Sequence, residues 1–182
     1  MKLTKKQIKR IENFAFNYYR KQDFAHNIEH ALRTVKLAEF LAKKEKADIQ
    51  LCRIGALLHQ FHDNSKAVEE LLRKINIDKV SKEQILDCVR HIRRRTVNKA
   101  KSLEAKIVFD ADKLQSLGPL GIYRQFAYLS EVKKLGLNKV KETKRIQEDI
   151  YKKLQTKTVK KLAKEPHKLA VKFFETLEKW LK

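Results

Sequence analysis

The chain has 182 residues, which suffice for one domain with a buried core but not for two of ordinary size. It contains only four Gly and two Pro, and 43 Lys and Arg against 22 Asp and Glu give a formal net charge of +21. Few residues are therefore available for hairpin turns, and the abundant Lys, Glu, Leu, Ala and Arg favour helices. The composition predicts a single all-α domain and argues against a fold built from β-hairpins.

Charge and hydropathy limit the setting and the partners of the protein. No run of about eighteen uncharged apolar residues occurs, and residues 1–6 lead into an amphipathic helix rather than an apolar signal segment. We therefore expect a cytoplasmic protein with no membrane contact. The positive charge attracts phosphate-bearing partners, either a small phosphorylated molecule or nucleic acid. We favour the small molecule, because Lys is spread along every predicted helix and few aromatic residues lie among the basic runs.

The first two helices are predicted from apolar periodicity. Residues 4–21 carry apolar side chains every three to four positions, as in a helix that covers a core. Asn27 is a candidate N-cap for a second helix that runs to about residue 44. This helix is apolar on two nearly opposite sides, which predicts a position in the middle of a bundle. We therefore expect His30 to point inward rather than toward solvent.

The third predicted helix carries the first concentration of chemical groups. It covers residues 49–61, is apolar almost all round and includes Gly55, which suits the close approach of a neighbouring helix. At its end, the helical spacing of His59, His62 and Asp63 places all three on one face. This spacing indicates a functional site at the end of the third helix.

The rest of the chain is predicted to form further helices. The pattern Ser81-Lys-Glu-Gln84 has the form of a capping box and predicts the start of the helix that carries His91. Pro166 must kink or divide the last segment, because its ring clashes with the preceding turn. The other helices are predicted at residues 67–75, 102–117, 120–135 and 139–155, and the last segment runs from residue 158 to the C-terminus.

Two aspartates on the helix predicted at residues 102–117 are candidates for the same site. Asp110 and Asp112 lie about 200° apart around a helix, so at most one of them faces a given site. Apolar residues surround this helix on all sides. Its periodicity therefore does not select between the two carboxylates.

The order of these groups resembles the HD-domain metal-dependent phosphohydrolases, an all-α family whose metal is held by a His, then a His-Asp pair and then a distant Asp. The resemblance covers most of the chain and implies one HD-type bundle of about eight to ten helices, with a site-bearing core at about residues 24–130 and C-terminal helices at about residues 139–182 packed on it. The matching segments are His26-Asn-Ile-Glu-His30-Ala-Leu-Arg-Thr-Val35, Ala56-Leu-Leu-His59, the region of His91, Ile107-Val-Phe-Asp-Ala-Asp-Lys-Leu114, Leu117-Gly-Pro-Leu-Gly-Ile-Tyr-Arg124 and, in the C-terminal part, Tyr151-Lys-Lys-Leu and Thr158-Val-Lys-Lys-Leu-Ala.

Carried over residue by residue, the resemblance implies that His30, His59 and Asp112 hold one divalent metal ion. This chain departs from the family pattern at Gln60, which stands where the family has its defining aspartate. An amide oxygen is a neutral and weaker ligand, so we expect weakened or lost binding at this position and no two-metal site. Two His and one Asp still form a ligand set for a divalent ion, and Mn, Ni, Fe, Mg and Zn all stay open.

The resemblance also implies roles around the metal. Asp63 matches a carboxylate that assists proton transfer, and the alternatives are a replacement metal ligand or an exposed acid. His26 and His91 match positions that contact substrate phosphate or an extra metal. Arg124 resembles the arginine after the Gly-Ile of the family, and a guanidinium suits bidentate binding of substrate phosphate. The alternative for these three is a helix-end histidine or a surface arginine. His62 reads as a partly buried or surface histidine.

The resemblance favours a metal-dependent phosphohydrolase that acts on a phosphomonoester or nucleotide-like substrate. The alternative is a degenerate HD domain that binds a phosphorylated ligand or nucleic acid without hydrolysis, as Gln60 and the charge of +21 suggest. A third pattern, His26-Asn-Ile-Glu29-His30, fits the H-x-x-E-H motif of zinc peptidases. That motif requires His26 and His30 on one continuous helix, and an N-cap at Asn27 argues against it.

Overall fold

A computed structural model describes residues 1–181 of the chain. Within these residues the chain forms ten α-helices and no β-strand. The helices are α1 Lys5–Tyr19, α2 Ile28–Glu45, α3 Ile49–Leu58, α4 Ser65–Lys74, α5 Lys79–Arg90, α6 Leu103–Leu114, α7 Gly118–Glu131, α8 Asn138–Lys153, α9 Lys157–Leu162 and α10 Lys164–Trp180. The predicted all-α class and the predicted number of helices are confirmed. None of the described helices combines the length and apolar character of a membrane-spanning segment.

Helices α2, α3, α5 and α6 pack against one another around the main apolar core. Helix α3 lies at the centre and is buried on nearly every side. Gly55 allows α5 to approach α3 closely, since a Cβ at this position would lie 2.8 Å from both Cβ and Sγ of Cys88. The predicted close approach at Gly55 is confirmed. His30 on α2 is fully buried, so the predicted inward orientation is also confirmed.

Side-chain caps fix the starts of several helices. Asn27 caps α2, as predicted. Asp48 caps α3, and Thr4 forms a capping box at the start of α1. The capping box predicted at Ser81 is wrong, because α5 begins earlier and Asp78 is its N-cap. The backbone N–H of Ser81 donates to the Asp78 carboxylate at 2.9 Å. An aspartate is a strong N-cap, and this one precedes Ser81 by three residues.

Helix α3 ends three residues earlier than predicted. The α-helix stops at Leu58, and the chain continues as a 3-10 segment, His59–Asn64. The tighter winding of a 3-10 segment changes the direction of successive side chains. The expectation that His59 and Asp63 share one face of an α-helix is therefore wrong. His59 is buried, whereas the side chain of Asp63 is 72% exposed.

Pro166 divides the C-terminal segment, as predicted. Helix α9 ends at Leu162, and α10 begins at Lys164 with Pro166 in its first turn. A proline is tolerated there, because the first N–H groups of a helix have no intrahelical acceptor. Helix α9 packs on α2 and α6, and α10 packs on α7 and α8. These contacts bring α8 and α10 to the side of the bundle where α7 lies.

Candidate metal centre

Three buried side chains from different parts of the chain meet in the interior. His30 lies in the first turn of α2, His59 directly follows α3, and Asp112 lies near the end of α6. One ligand atom from each lies within 4.8 Å of the other two. The Nε2 atom of His30 is 3.2 Å from Nε2 of His59 and 3.2 Å from Oδ1 of Asp112. The structure therefore brings together the three side chains that the resemblance singled out.

The other ring nitrogen of each histidine fixes the tautomer. Nδ1 of His59 lies 2.6 Å from the carbonyl oxygen of Ala56, and Nδ1 of His30 lies 3.3 Å from Oε1 of Gln115. Because both oxygens are acceptors, each Nδ1 carries the proton and each Nε2 presents a lone pair. Two lone pairs and a carboxylate oxygen thus face one another. Such a donor set fits a divalent cation.

Gln115 is a supporting residue that the sequence interpretation missed. Its Nε2 donates to Oγ1 of Thr34 at 2.7 Å and to the carbonyl of Ala111 at 3.2 Å, so its Oε1 is directed toward His30. Arg33 Nε also donates to this oxygen at 3.3 Å. Histidine ligands commonly donate their second N–H to such an acceptor. The position of Gln115 three residues after Asp112 is the signal that could have found it.

Burial and charge set the protonation states of the cluster. Burial lowers the pKa of His59 to about 3 and also lowers the pKa of His30. Burial by itself would raise the pKa of Asp112, but the Lys113 ammonium, 2.6 Å away, holds that pKa well below its usual range. At neutral pH the imidazoles are therefore neutral and the carboxylate is ionised. These are the forms that bind a metal.

Gln60 lies beside this cluster. Its half-buried side chain places Nε2 at 2.9 Å from Nε2 of His59. An amide N–H in this position donates to the lone pair of His59. Rotation about the last side-chain bond presents the amide oxygen instead, which is a neutral and weak ligand. Gln60 therefore covers one side of the ligand set without adding a charge.

The cluster opens into a cavity of about 200 Å³ that is rich in cations. Arg124 is almost fully buried, and its guanidinium donates to the backbone carbonyls of Gln115 and Ala25. Burial lowers the pKa of Arg124. Lys113 and Arg93 also line the cavity, although the sequence interpretation assigned neither of them to the site. The cavity-lining residues include His26, His62, Arg93, Lys113, Ser116 and Arg124.

Asp63 and His91 lie outside this cavity. The exposed carboxylate of Asp63 forms an ion pair with Arg93, and Nε2 of His62 lies 3.3 Å from it. His91 lines a separate cavity of about 310 Å³, where its Nδ1 lies 2.6 Å from Oδ1 of Asp87. The structure does not bring His91 to the metal cluster, because this carboxylate one helical turn earlier holds the ring at the end of α5.

The N-cap at Asn27 rules out the H-x-x-E-H zinc-peptidase motif. Oδ1 of Asn27 accepts a hydrogen bond from the backbone N–H of His30 at 3.1 Å, and α2 begins only at the following residue. His26 precedes the helix, and its Nδ1 lies 2.8 Å from Oδ1 of Asp23. The side chain of Glu29 is 71% exposed. His26 and His30 therefore do not share a helix, and the peptidase pattern is not realised.

Asp110, the second aspartate of α6, lies away from the metal cluster. Its carboxylate accepts hydrogen bonds from the backbone N–H of Gln155 at 2.8 Å and from both the N–H and Oγ1 of Thr156 at 2.7 Å. These groups lie just before α9. Asp110 therefore anchors the start of α9, and Asp112 is the aspartate that faces the histidines.

Comparison with known proteins places the chain among relatives of similar length. The uncharacterized protein YpgQ of Bacillus subtilis is 29% identical over 96% of this chain and 93% of its own length. The crystal structure of YpgQ in complex with ADP has a TM-score of 0.78 at 24% identity, covering 96% of this chain and 94% of that one. A Lactobacillus plantarum structure has a TM-score of 0.82 at 21% identity and covers 99% of both chains.

A structure described as an HD-superfamily hydrolase, from Bacillus thuringiensis, has a TM-score of 0.75 at 22% identity and covers 97% of both chains. The family model of the HD domain matches residues 27–117, which is half of this chain. The matched segment begins at the cap of α2 and ends shortly after Asp112. The chain therefore belongs to the HD domain family.

Proposed function

We propose that the protein is a metal-dependent phosphohydrolase that acts on a phosphomonoester or a nucleotide-like substrate. The observation that carries this proposal is the convergence of the lone pairs of His30 and His59 with the carboxylate of Asp112. The adjoining cations suit a phosphorylated ligand. YpgQ, which matches nearly the whole chain, was crystallised with ADP, and this supports a phosphorylated small molecule as ligand.

In this proposal, His30, His59 and Asp112 hold one divalent cation, which supplies Lewis acidity toward a phosphoryl oxygen and the attacking water. Arg124 binds phosphate oxygens, and its two hydrogen bonds to backbone carbonyls keep the guanidinium in place before the ligand arrives. Lys113 is held by Asp112 and adds a second cation at the same cavity. Fixed donors of this kind stabilise developing negative charge without reorganisation.

The residues at the rim have supporting roles in the proposal. His26 lines the cavity, and its ring is held by Asp23 so that the other ring nitrogen is available to a phosphate oxygen. Arg93 lines the cavity beside it, and Asp63 forms an ion pair with Arg93. We assign Asp63 to positioning Arg93, since the Asp63 carboxylate does not line the cavity. His91 has no role in this proposal because it belongs to another cavity.

Gln60 favours a second candidate function, binding of a phosphorylated ligand or nucleic acid without hydrolysis. The amide nitrogen of Gln60 lies 2.9 Å from the lone-pair nitrogen of His59, where it competes with a metal for that lone pair. The net charge of +21 would attract the phosphates of a nucleic acid and so favours nucleic acid as the ligand. A salt titration distinguishes nucleic acid from a small phosphorylated ligand, because the logarithm of the affinity for nucleic acid falls steeply and linearly with the logarithm of the salt concentration. A small-molecule site responds weakly.

Phosphate release tests the proposed function. Wild-type protein is assayed on a panel of phosphomonoesters and nucleotides with added Mn²⁺, Ni²⁺ or Mg²⁺, beside His59→Gln and the control His91→Gln. We expect turnover by wild type and by the control His91→Gln, and loss of turnover in His59→Gln. The reason is that His59 belongs to the metal cluster and His91 does not. No turnover by wild type with any ion contradicts the hydrolase. Ligand binding without turnover favours the second candidate.

A further inference from the structure

A second cavity, of about 340 Å³, adjoins the cavity above the metal cluster. The two cavities share four lining residues, which are His26, Lys113, Ser116 and Arg124. A ligand whose phosphate lies at the cations of the first cavity therefore has room for its remaining atoms in the second. This second cavity is called the α8 cavity below, because α8 forms one of its walls.

One face of α8 supplies an uncharged wall. Thr143, Ile146, Gln147 and Ile150 line the α8 cavity and recur at the spacing of a single helix face. Within the described chain, no carboxylate is among the residues that line this cavity. Two isoleucine side chains offer apolar contact to a flat ring, and Gln147 adds one polar group between them. Such a combination of apolar wall and few polar groups is typical of small-molecule sites.

Gln147 lines the α8 cavity, and the one unpaired hydrogen-bonding group of its side chain is a donor. The residue is 3% exposed, and its Oε1 accepts a hydrogen bond from the backbone N–H of Gly118 at 3.0 Å. Rotating the amide would set its NH₂ group against that N–H, so the orientation is fixed. Nε2 of Gln147 and Nε of Arg124 have no hydrogen-bond partner among residues 1–181. Buried donors are rarely left unpaired, which points to a ligand acceptor.

We propose that the α8 cavity binds the base of a nucleoside phosphate through a keto oxygen that accepts from Nε2 of Gln147. The inference rests on the proposed function for the position of the phosphate. Gln147 is then the residue that determines base specificity. Hypoxanthine and guanine carry a keto oxygen at C6, and uracil carries one at C4. Adenine and cytosine carry an amino group at these positions, so that two donors would face each other.

Binding of probes that resist hydrolysis tests this inference. The probes are the α,β-methylene analogues of inosine diphosphate and ADP, with methylenediphosphonate as the base-free reference, measured by calorimetry with Mn²⁺ present. We expect wild type to bind the inosine analogue about tenfold more tightly than the adenosine analogue. Gln147→Leu should remove this difference and leave affinity for methylenediphosphonate unchanged. The control Gln84→Leu, which lines the separate cavity of His91, should behave as wild type.

A second variant separates recognition from folding. Gln147→Glu keeps an acceptor for the N–H of Gly118 and replaces the donor with an acceptor, so we expect the inosine preference to be lost in it as well. Each nucleotide affinity is taken relative to that of methylenediphosphonate, which accounts for the added charge. Equal binding of both nucleotides by wild type overturns the inference alone, as does an unchanged preference in both variants. Failure of all three probes to bind contradicts the inference and the proposed phosphate site together.

Discussion

Asp110 and Asp112 are two residues apart on α6, are both buried, and face different surroundings. The carboxylate of Asp110 receives three hydrogen bonds from the backbone and hydroxyl groups that precede α9. The carboxylate of Asp112 faces the lone-pair nitrogens of two histidines and the ammonium of Lys113. A buried carboxylate whose oxygens all accept hydrogen bonds from neighbouring donors has a structural role. A buried carboxylate that faces other acceptors requires a cation.

The pKa values of these two groups differ for the same reason. Burial raises the pKa of Asp110 to about 6, although its three hydrogen bonds act in the opposite direction. Burial acts on Asp112 as well, but the Lys113 ammonium holds the pKa of Asp112 well below its usual range. Perturbed carboxylates occur in structural networks and in functional sites alike. The partners of each carboxylate, rather than its burial, separate the two roles.

Asp112→Asn is expected to have the largest effect. It removes the only carboxylate of the three-residue cluster, so the affinity for Mn²⁺ should fall by more than the roughly 10- to 100-fold that follows loss of a supporting partner. Phosphate release should be lost with it. Calorimetric titration with Mn²⁺ measures the change, and Asp110→Asn is the matched control that should keep its affinity. Equal loss in both variants would remove the distinction between the two aspartates.

Asp110→Ala should instead act on stability. The substitution leaves the N–H and hydroxyl groups of Thr156 without their buried acceptor, and we expect the free energy of unfolding to fall by about 3 kcal/mol. Urea denaturation followed by circular dichroism measures this loss. The Mn²⁺ affinity of the folded variant should match that of wild type. An unchanged urea midpoint would show that the carboxylate does not anchor α9.

Gln60→Asp tests whether a second carboxylate strengthens the cluster. The shorter, charged side chain replaces an amide that lies 2.9 Å from His59 Nε2. We expect Mn²⁺ affinity to rise by about tenfold, because a hard anionic oxygen is a better ligand than an amide. Gln60→Asn is the control, since it shortens the side chain without adding charge. Equal affinities of Gln60→Asp and Gln60→Asn would mean that the missing charge does not limit binding.

The smallest effect is expected from pH. Metal binding requires neutral imidazoles, and burial holds His59 at a pKa of about 3 and lowers that of His30. Mn²⁺ affinity should therefore change by less than about threefold between pH 8 and pH 5.5, whereas two exposed histidines of ordinary pKa would lose about 100-fold. Calorimetry across this range gives the profile. A steep loss below pH 6.5 would show that solvent protons reach the cluster.

Periodicity and resemblance predicted different parts of this site. The two apolar sides of α2 predicted the inward orientation of His30, which the structure confirms. Periodicity did not select between Asp110 and Asp112, because α6 is buried on all sides, and only the resemblance to a family singled out Asp112. The early end of α3 was not predicted, since no Gly or Pro marks the change to a 3-10 segment at His59.

Contacts between distant parts of the chain explain what the sequence interpretation missed. Gln115 reaches Thr34 and His30 across the gap between α2 and the end of α6. Its position three residues after Asp112 indicates a shared helix face but does not identify these two partners. His91 was misplaced for a local reason that the sequence does contain. Asp87 stands one helical turn before it, and that carboxylate holds the ring away from the cluster.

The location of a bound ion tests the central claim most directly. Crystals of the wild-type protein soaked in Mn²⁺ are examined for anomalous scattering. We expect one peak at about 2.0–2.4 Å from Nε2 of His30, Nε2 of His59 and an oxygen of Asp112. The absence of a peak at these atoms, or a peak only at other residues, would contradict the claim that this cluster holds the metal of a phosphohydrolase.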